Sequence, residues 1–215
     1  MNSTQTTAGD VAILVREHVV DEVDDVIHGA TFDRRRRLVL AASNRLVRVL
    51  PGSGRVVDQL ETSPDPGGLG YDGLDLWQHS EGRLQHVNSR TGFVLRSISP
   101  QLSDMTGLEC IGDDLLVLHA GGRALARVET LDATSVANVE ISVPLRGLAW
   151  VGQELWSSTA RELCRIDAAS GRVVARVALP TGSEVSDLAG DAEGHVWCVD
   201  GRSRRLRGFA IPHAA

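Results

Sequence analysis

The chain has 215 residues, of which 42% are hydrophobic and 23% charged, the ordinary composition of a soluble globular protein. Its net charge of −6 argues against a nucleic-acid partner, because phosphate binding requires clustered positive charge. No apolar run is long enough for a membrane span, and the polar start lacks the pattern of a signal peptide. Three well-separated cysteines favour a reducing cytoplasm over a disulfide framework, and the exclusive use of arginine as cation indicates a high-GC bacterial genome.

An internal repeat of roughly 40 residues runs through the chain, counted from a glycine that precedes a short apolar strand. The repeats begin at Gly29, Gly68, Gly107 and Gly147, and a fifth begins where Asp187 replaces the glycine. Within each repeat, turns rich in glycine and aspartate separate four short apolar strands, which is the pattern of one propeller blade. The sequence therefore predicts an all-β, five-bladed β-propeller with four antiparallel strands per blade.

The predicted blades follow one another without linkers, as one domain over residues 1–215. The fifth repeat ends after its third strand, whereas an additional β-branched strand precedes the first repeat, over residues 11–20. We predict that this N-terminal strand completes the last blade and closes the ring, which removes exposed sheet edges. The five blades are predicted near residues 24–61, 62–99, 100–142, 143–180, and 181–211 plus 11–20.

Two stretches resemble repeats of known propellers. Residues 187–197, DLAGDAEGHVW, resemble the repeat of NHL-type and virginiamycin B lyase-like propellers, and residues 147–176 resemble glutamine cyclotransferase-like propellers, which also have five blades. The resemblance implies a fold that hosts lyases, lactonases, acyl-cyclising enzymes and binding modules. The chain lacks the Glu-Ser-Thr-Gly run of the cyclotransferases, so none of their catalytic residues is carried over to it, and the fold alone does not give the function.

In a propeller, the loop that enters the first strand of a blade and the loop that leaves the second strand open on the same face, around the central channel. The repeat places His28 just before the glycine column, and Arg146 at the same point of the fourth blade. At the end of the second strand it places His79 and His119 at equivalent positions of adjacent blades. We predict that these side chains meet at the channel mouth. Asp187 of the glycine column and Asp200, near the end of a second strand, are expected beside them.

Glu109 lies two residues into a first strand, where the other blades have small residues. A carboxylate at a narrow channel is poorly solvated, so we expect a raised pKa unless a cation such as Arg146 pairs with it. Because imidazole exchanges protons near neutral pH, His79 and His119 are the predicted acid and base, with Glu109 orienting one of them. The remaining polar side chains of this face are the predicted ligand-binding residues: Arg146, His28, Asp187 and Asp200.

These residues predict a cytoplasmic enzyme that acts on a small organic molecule by general acid–base chemistry, as a lyase or an intramolecular cyclase. The alternative is a non-catalytic propeller that binds a ligand or a protein through the same face, with purely structural polar groups at its mouth. The histidines are compatible with a divalent metal, but the sequence requires no cofactor, and it leaves the oligomeric state open. The Arg34–Arg37 run is predicted in a hairpin turn on the opposite face, either as a solvated turn or as an anion- or partner-docking surface.

Overall fold

The computed structural model describes residues 11–212, whose regular structure consists of twenty β-strands in five four-stranded antiparallel sheets. Within this range there is no helix long and apolar enough to cross a membrane. Each sheet is one blade, and its first strand lies at the channel, next to the first strands of the neighbouring blades. The predicted five-bladed β-propeller is therefore confirmed.

The strand bounds follow the predicted repeat. The first strand of the described range is β1 (Ile13–Val19), which belongs to the last blade. The first blade contains β2 (Ile27–Phe32), β3 (Leu38–Ala42), β4 (Arg45–Val49) and β5 (Val56–Glu61). The second contains β6 (Leu69–Tyr71), β7 (Leu76–Ser80), β8 (Arg83–Val87) and β9 (Val94–Ile98). The third contains β10 (Gly107–Ile111), β11 (Asp114–His119), β12 (Ala124–Glu129) and β13 (Ser135–Glu140). The fourth contains β14 (Arg146–Val151), β15 (Glu154–Ser158), β16 (Glu162–Ile166) and β17 (Val173–Ala178), and the fifth contains β18 (Asp187–Gly190), β19 (His195–Asp200) and β20 (Arg205–Ala210) together with β1.

The N-terminal strand closes the ring as predicted. β1 pairs antiparallel with β20, from Ile13 opposite Ala210 to Val19 opposite Arg205. The backbone N–H of Ala12 also donates to the carbonyl of Ala178, at 2.9 Å, which joins the strand to the fourth blade. Because this pairing connects the two ends of the described chain, the last blade is complete only when both ends are in place.

The hydrophobic core lies between neighbouring blades. Trp77 of the second blade packs with Leu115 and Val117 of the third, and the other inter-blade spaces are filled in the same way. The second strand of each blade has a neighbouring blade on both sides, which is why sequences such as LVLAA in β3 are apolar on both faces. This packing fixes the blades around the channel and so positions the loops at its mouth.

The glycine column allows the innermost strands to converge on the channel. A Cβ atom on Gly107 would lie 3.0 Å from the Cα of Gly147, and one on Gly147 would lie 2.5 Å from Oδ1 of Asp187. Gly147 also has a φ of +64°, a conformation that side-chain-bearing residues adopt only at a cost. Glycine is therefore required where backbone meets backbone from blade to blade.

Candidate functional site

A cavity of about 870 Å³ opens where the loops into the first strands meet the loops out of the second strands. We call it the mouth cavity. All five blades contribute polar side chains to it, and the predicted residues His28, His79 and Arg146 are among them. The polar residues of its wall are His28, Asp65, His79, Thr106, Arg146, Thr159, Glu184, Ser186 and Arg202.

His79 lies against the backbone of the loop that enters its blade. A Cβ atom on Gly67 would lie 1.8 Å from Cε1 of His79, so the imidazole occupies the space that any side chain at Gly67 would need. The Gly67 N–H donates to the carbonyl of His79, at 2.7 Å, which holds the loop and the strand end together. Burial, with a smaller contribution from the nearby His28, lowers the pKa of His79 to about 4. The ring is therefore neutral at physiological pH and keeps a nitrogen lone pair.

The other ionisable groups of the mouth cavity carry both signs of charge. His28 and Arg146 are exposed, as are Asp65, Glu184 and Arg202. Within residues 11–212, the side chains of these five residues form no hydrogen bond or ion pair with the rest of the chain. The charges of Asp65, Arg146, Glu184 and Arg202 are therefore balanced by solvent.

His119 does not accompany His79. In the third blade Leu118 lies opposite Gly107 of the glycine column, whereas in the second blade the N–H of His79 points to the carbonyl of Gly68. Leu118 is thus the structural equivalent of His79, and a shift of one residue along a strand turns a side chain to the other face. The predicted equivalence of the two histidines is wrong. His119 is 8% exposed, is outside the wall of the mouth cavity, and its Nε2 lies 3.1 Å from Oδ1 of Asn138 on β13.

Asp200 also lies outside the wall of the mouth cavity. Its Oδ1 accepts the backbone N–H of Ser203, at 3.1 Å, and its Oδ2 accepts the Ser203 hydroxyl. The carboxylate therefore caps the turn between β19 and β20, and the expectation that it contacts a ligand at the mouth has no support in this geometry.

Glu109 connects two innermost strands. Its Oε1 accepts the N–H of Cys110, at 2.9 Å, and its Oε2 accepts the N–H of Trp150 on β14, at 3.2 Å. Burial raises the pKa of Glu109 to about 7, against the opposing effect of these two donors. The predicted partnership with Arg146 is not formed, since backbone N–H groups occupy the carboxylate and Arg146 faces the mouth cavity.

Asp187 makes the corresponding connection between the last blade and the first. Its Oδ2 accepts the N–H of Ala30 on β2, at 2.8 Å, and the N–H groups of Leu188 and Leu69 add to the stabilisation of the carboxylate. Its Oδ1 is buried without a hydrogen-bond partner, and burial raises the pKa of Asp187 well above its ordinary value. We call Glu109 and Asp187 the channel carboxylates. Neither belongs to the wall of the mouth cavity.

Three metal-capable side chains meet on the opposite face. Asp191, Glu193 and His195 are, within the described range, the one group of three such residues whose donor atoms lie within 4.8 Å of one another. Oδ1 of Asp191 accepts the N–H groups of Glu193 and His195, and its Oδ2 accepts the indole N–H of Trp197, each at 2.9 Å. His195 Nδ1 lies 2.9 Å from the same Oδ2. These bonds organise the turn between β18 and β19, so the carboxylate of Asp191 is already fully used.

Sequence reasoning missed three charged residues of the mouth cavity. Asp65 and Glu184 each stand three residues before the glycine-column position of their blade, and Arg202 stands three residues after the strand position that corresponds to His79. The repeat contains this signal, because Pro144 and Gly121 at the same offsets also line the cavity. The prediction considered one position in each loop, whereas several residues of some loops line the cavity.

Comparisons with known proteins give the fold but no family. No protein-family model and no curated protein sequence matches the chain. Among solved structures, the glutaminyl cyclase of Myxococcus xanthus is 18% identical and superposes with a TM-score of 0.80 over 96% of this chain and 98% of that one. Two structures of the virginiamycin B lyase of Staphylococcus aureus also match, one of them a catalytically inactive variant with quinupristin. Their TM-scores are 0.52 and 0.51, and their sequence identities are 15% and 16%. Each match covers 88% of this chain and 67% of the lyase chain. The chain is therefore similar to two propeller enzymes in architecture.

Proposed function

We propose that this propeller is an enzyme that binds a small organic molecule in the mouth cavity and acts on it by general acid–base chemistry, as a lyase or an intramolecular cyclase. The observation that carries the proposal is the position of His79. A neutral imidazole lies in the wall of a cavity of about 870 Å³, beside unpaired groups of both charges.

Both reaction classes require that a proton leaves one atom of the substrate and that another reaches a leaving group. The neutral ring of His79 can accept the first proton, and the exposed His28 beside it can supply the second. A pKa of about 4 makes His79 a weak base in the empty cavity. A substrate with a negative charge near the ring would raise that pKa towards the working pH, because an opposite charge favours the protonated form.

Substrate orientation would come from the surrounding charges. Arg146 and Arg202 can hold a negatively charged group of the substrate, since guanidinium groups bind carboxylates with two parallel hydrogen bonds. Asp65 and Glu184 can hold a positively charged group in the same cavity. The arrangement favours a small polar or zwitterionic substrate.

The structural neighbours support this class of chemistry without specifying it. One is a cyclase and the other a lyase, and the lyase is catalytically inactive when one of its histidines is replaced by alanine. We further propose a cytoplasmic location, which the free thiols of Cys110, Cys164 and Cys198 support.

The test compares two histidine variants in one assay. The purified protein is incubated with a panel of small amides, esters and amino-acid derivatives, including glutaminyl compounds and quinupristin, and products are followed by mass spectrometry. We expect turnover of at least one compound, with loss of about a hundredfold or more of the rate in His79→Asn, the usual contribution of a general acid or base. His119→Asn is the matched control and should keep the rate. Stabilisation by a compound without turnover would favour the non-catalytic binding propeller, and equal turnover by the two variants would reject the role of His79.

A further inference from the structure

A second, smaller pocket lies on the face opposite the mouth cavity, where the turn between β2 and β3 approaches the turn between β8 and β9. Its volume is about 190 Å³, roughly the volume that six water molecules occupy in liquid water. We call it the arginine pocket. Five arginines and two aspartates line it, together with Tyr71 and Ser89, so its net charge is positive in a chain whose total is −6. The arginines are Arg34, Arg35, Arg37, Arg48 and Arg90.

The two aspartates of the arginine pocket are already neutralised. Asp33 is bound by Arg37, whose Nε and NH2 groups donate to Oδ2 at 2.8 and 2.6 Å. Asp58 is bound by NH1 of Arg48. Arg48 is the most enclosed of the five, with a side chain 4% exposed, and its Nε is buried without a hydrogen bond, 3.7 Å from Asp33. The acidic groups therefore leave a positive potential uncompensated in the arginine pocket.

Three guanidinium groups in the wall have no acceptor within residues 11–212. Arg34, Arg35 and Arg90 are exposed and, among the described residues, their side chains form no hydrogen bond or ion pair. The backbone around them is fixed, since Oδ1 of Asp33 accepts the N–H groups of Arg35 and Arg37, and Oδ1 of Asn88 accepts that of Arg90. Rigid turns thus present like charges at one small pocket, an arrangement that costs repulsion energy unless an anion lies between them.

We propose that the arginine pocket binds a phosphate monoester, independently of the proposed reaction at the mouth. Guanidinium groups match tetrahedral oxyanions with paired hydrogen bonds, and a doubly charged phosphate compensates more of the excess charge than a carboxylate does. The pocket admits the phosphate group and leaves the rest of the molecule outside. Leu74 and Phe93, 65% and 73% exposed, flank the turn that carries Ser89 and Arg90. The same phosphate chemistry therefore has two sources, a soluble phosphate ester and a lipid headgroup.

The first experiment measures binding of inorganic phosphate by equilibrium dialysis at constant ionic strength. We expect saturable binding of one phosphate per chain and a loss of at least tenfold in affinity in the double variant Arg34→Ala/Arg90→Ala. Arg36→Ala is the matched control, because Arg36 lies in the same turn but outside the arginine pocket, and it should bind as the wild type does. Thermal melts establish that all proteins compared are folded. No saturable binding, or equal affinity of the double variant and the control, would overturn the proposal.

The second experiment distinguishes the two sources. Phosphatidylcholine vesicles with and without phosphatidic acid are sedimented with the protein, in the absence and presence of inorganic phosphate. Sedimentation that requires phosphatidic acid and is reversed by free phosphate assigns a lipid headgroup. Phosphate binding in dialysis without sedimentation assigns a soluble ester. Sedimentation that free phosphate fails to reverse would contradict a phosphate site and indicate a general charge effect.

Discussion

The mouth cavity and the channel beneath it use ionisable side chains in opposite ways. At the mouth, His28, His79 and Arg146 line an open cavity and have no side-chain hydrogen-bond partners among the described residues. In the channel, Glu109 and Asp187 are bound by backbone N–H groups of neighbouring innermost strands. The proposed function assigns the unpaired groups to a ligand, whereas the paired ones join blades.

The paired carboxylates of the channel have a structural role that follows from the repeat. An innermost strand has one unpaired edge, whose N–H groups face the channel and need acceptors. Glu109 satisfies one between the third and fourth blades, and Asp187 another between the fifth and first. A raised carboxyl pKa in a propeller channel therefore follows from burial of the carboxylate between blades and is not by itself a mark of catalysis.

Removal of the closing strand should disrupt both the mouth cavity and the channel, because both depend on a complete ring. Deleting residues 11–20 together with the residues before them removes β1 and leaves β20 as an exposed edge. We expect loss of the cooperative thermal transition or aggregation, measured by circular dichroism and light scattering. Deletion of residues 1–10 alone keeps β1 and should preserve the transition. A soluble, cooperatively folded product of the longer deletion would contradict the closure.

A methyl group in the glycine column should damage the channel strongly. Gly147 and Gly152 have nearly the same φ, +64° and +62°, but a Cβ at Gly147 meets Asp187 and Leu188 whereas one at Gly152 meets nothing within 4 Å. Both Gly→Ala changes cost backbone strain of about 1 kcal/mol, and Gly147→Ala adds a steric cost of about 2 kcal/mol. Urea denaturation measures both. Equal destabilisation of the two variants would show that the innermost strands do not meet at Gly147.

The two regions should impose opposite pH dependences on stability. The pKa of Glu109 is raised from 4.5 to about 7 in the folded chain, so its contribution to the free energy of unfolding falls as the pH rises through that range. The pKa of His79 is lowered from 6.5 to about 4, so its contribution is lost as the pH falls through that range. Each effect is on the order of 3 kcal/mol at full extent.

Two variants separate these contributions in denaturation curves between pH 4 and pH 8. Glu109→Gln should leave a stability that rises more steeply with pH than that of the wild type, since the opposing effect of Glu109 is gone. His79→Asn should have a stability that falls more steeply with pH than that of the wild type. The raised pKa of Asp187 acts in the same direction as that of Glu109. Unchanged pH profiles in both variants would remove the electrostatic distinction between the mouth cavity and the channel.

The repeat was sufficient to predict the blades, the closure and the placement of His28, His79 and Arg146 at the mouth. It misplaced His119 because Leu115–Leu118 form a continuous apolar run that is buried on both faces, and such a run has no alternation from which to read the register. The roles of Glu109 and Asp187 depend on where the N–H groups of adjacent strands point. That information appears only when the strands are assembled around the channel.

The most direct test of the proposed role of His79 is an NMR titration of its ring. The protein carries selectively labelled histidine, and the His79→Asn variant assigns the His79 resonances. In the free protein we predict a pKa of about 4, far below that of an exposed histidine. The most stabilising anionic compound of the panel should raise the pKa of His79 and shift its resonances, while those of His119 stay unchanged. A pKa of His79 near 6.5 in the free protein, unaffected by every compound that binds, would contradict the claim that the mouth cavity is a site for acid–base chemistry.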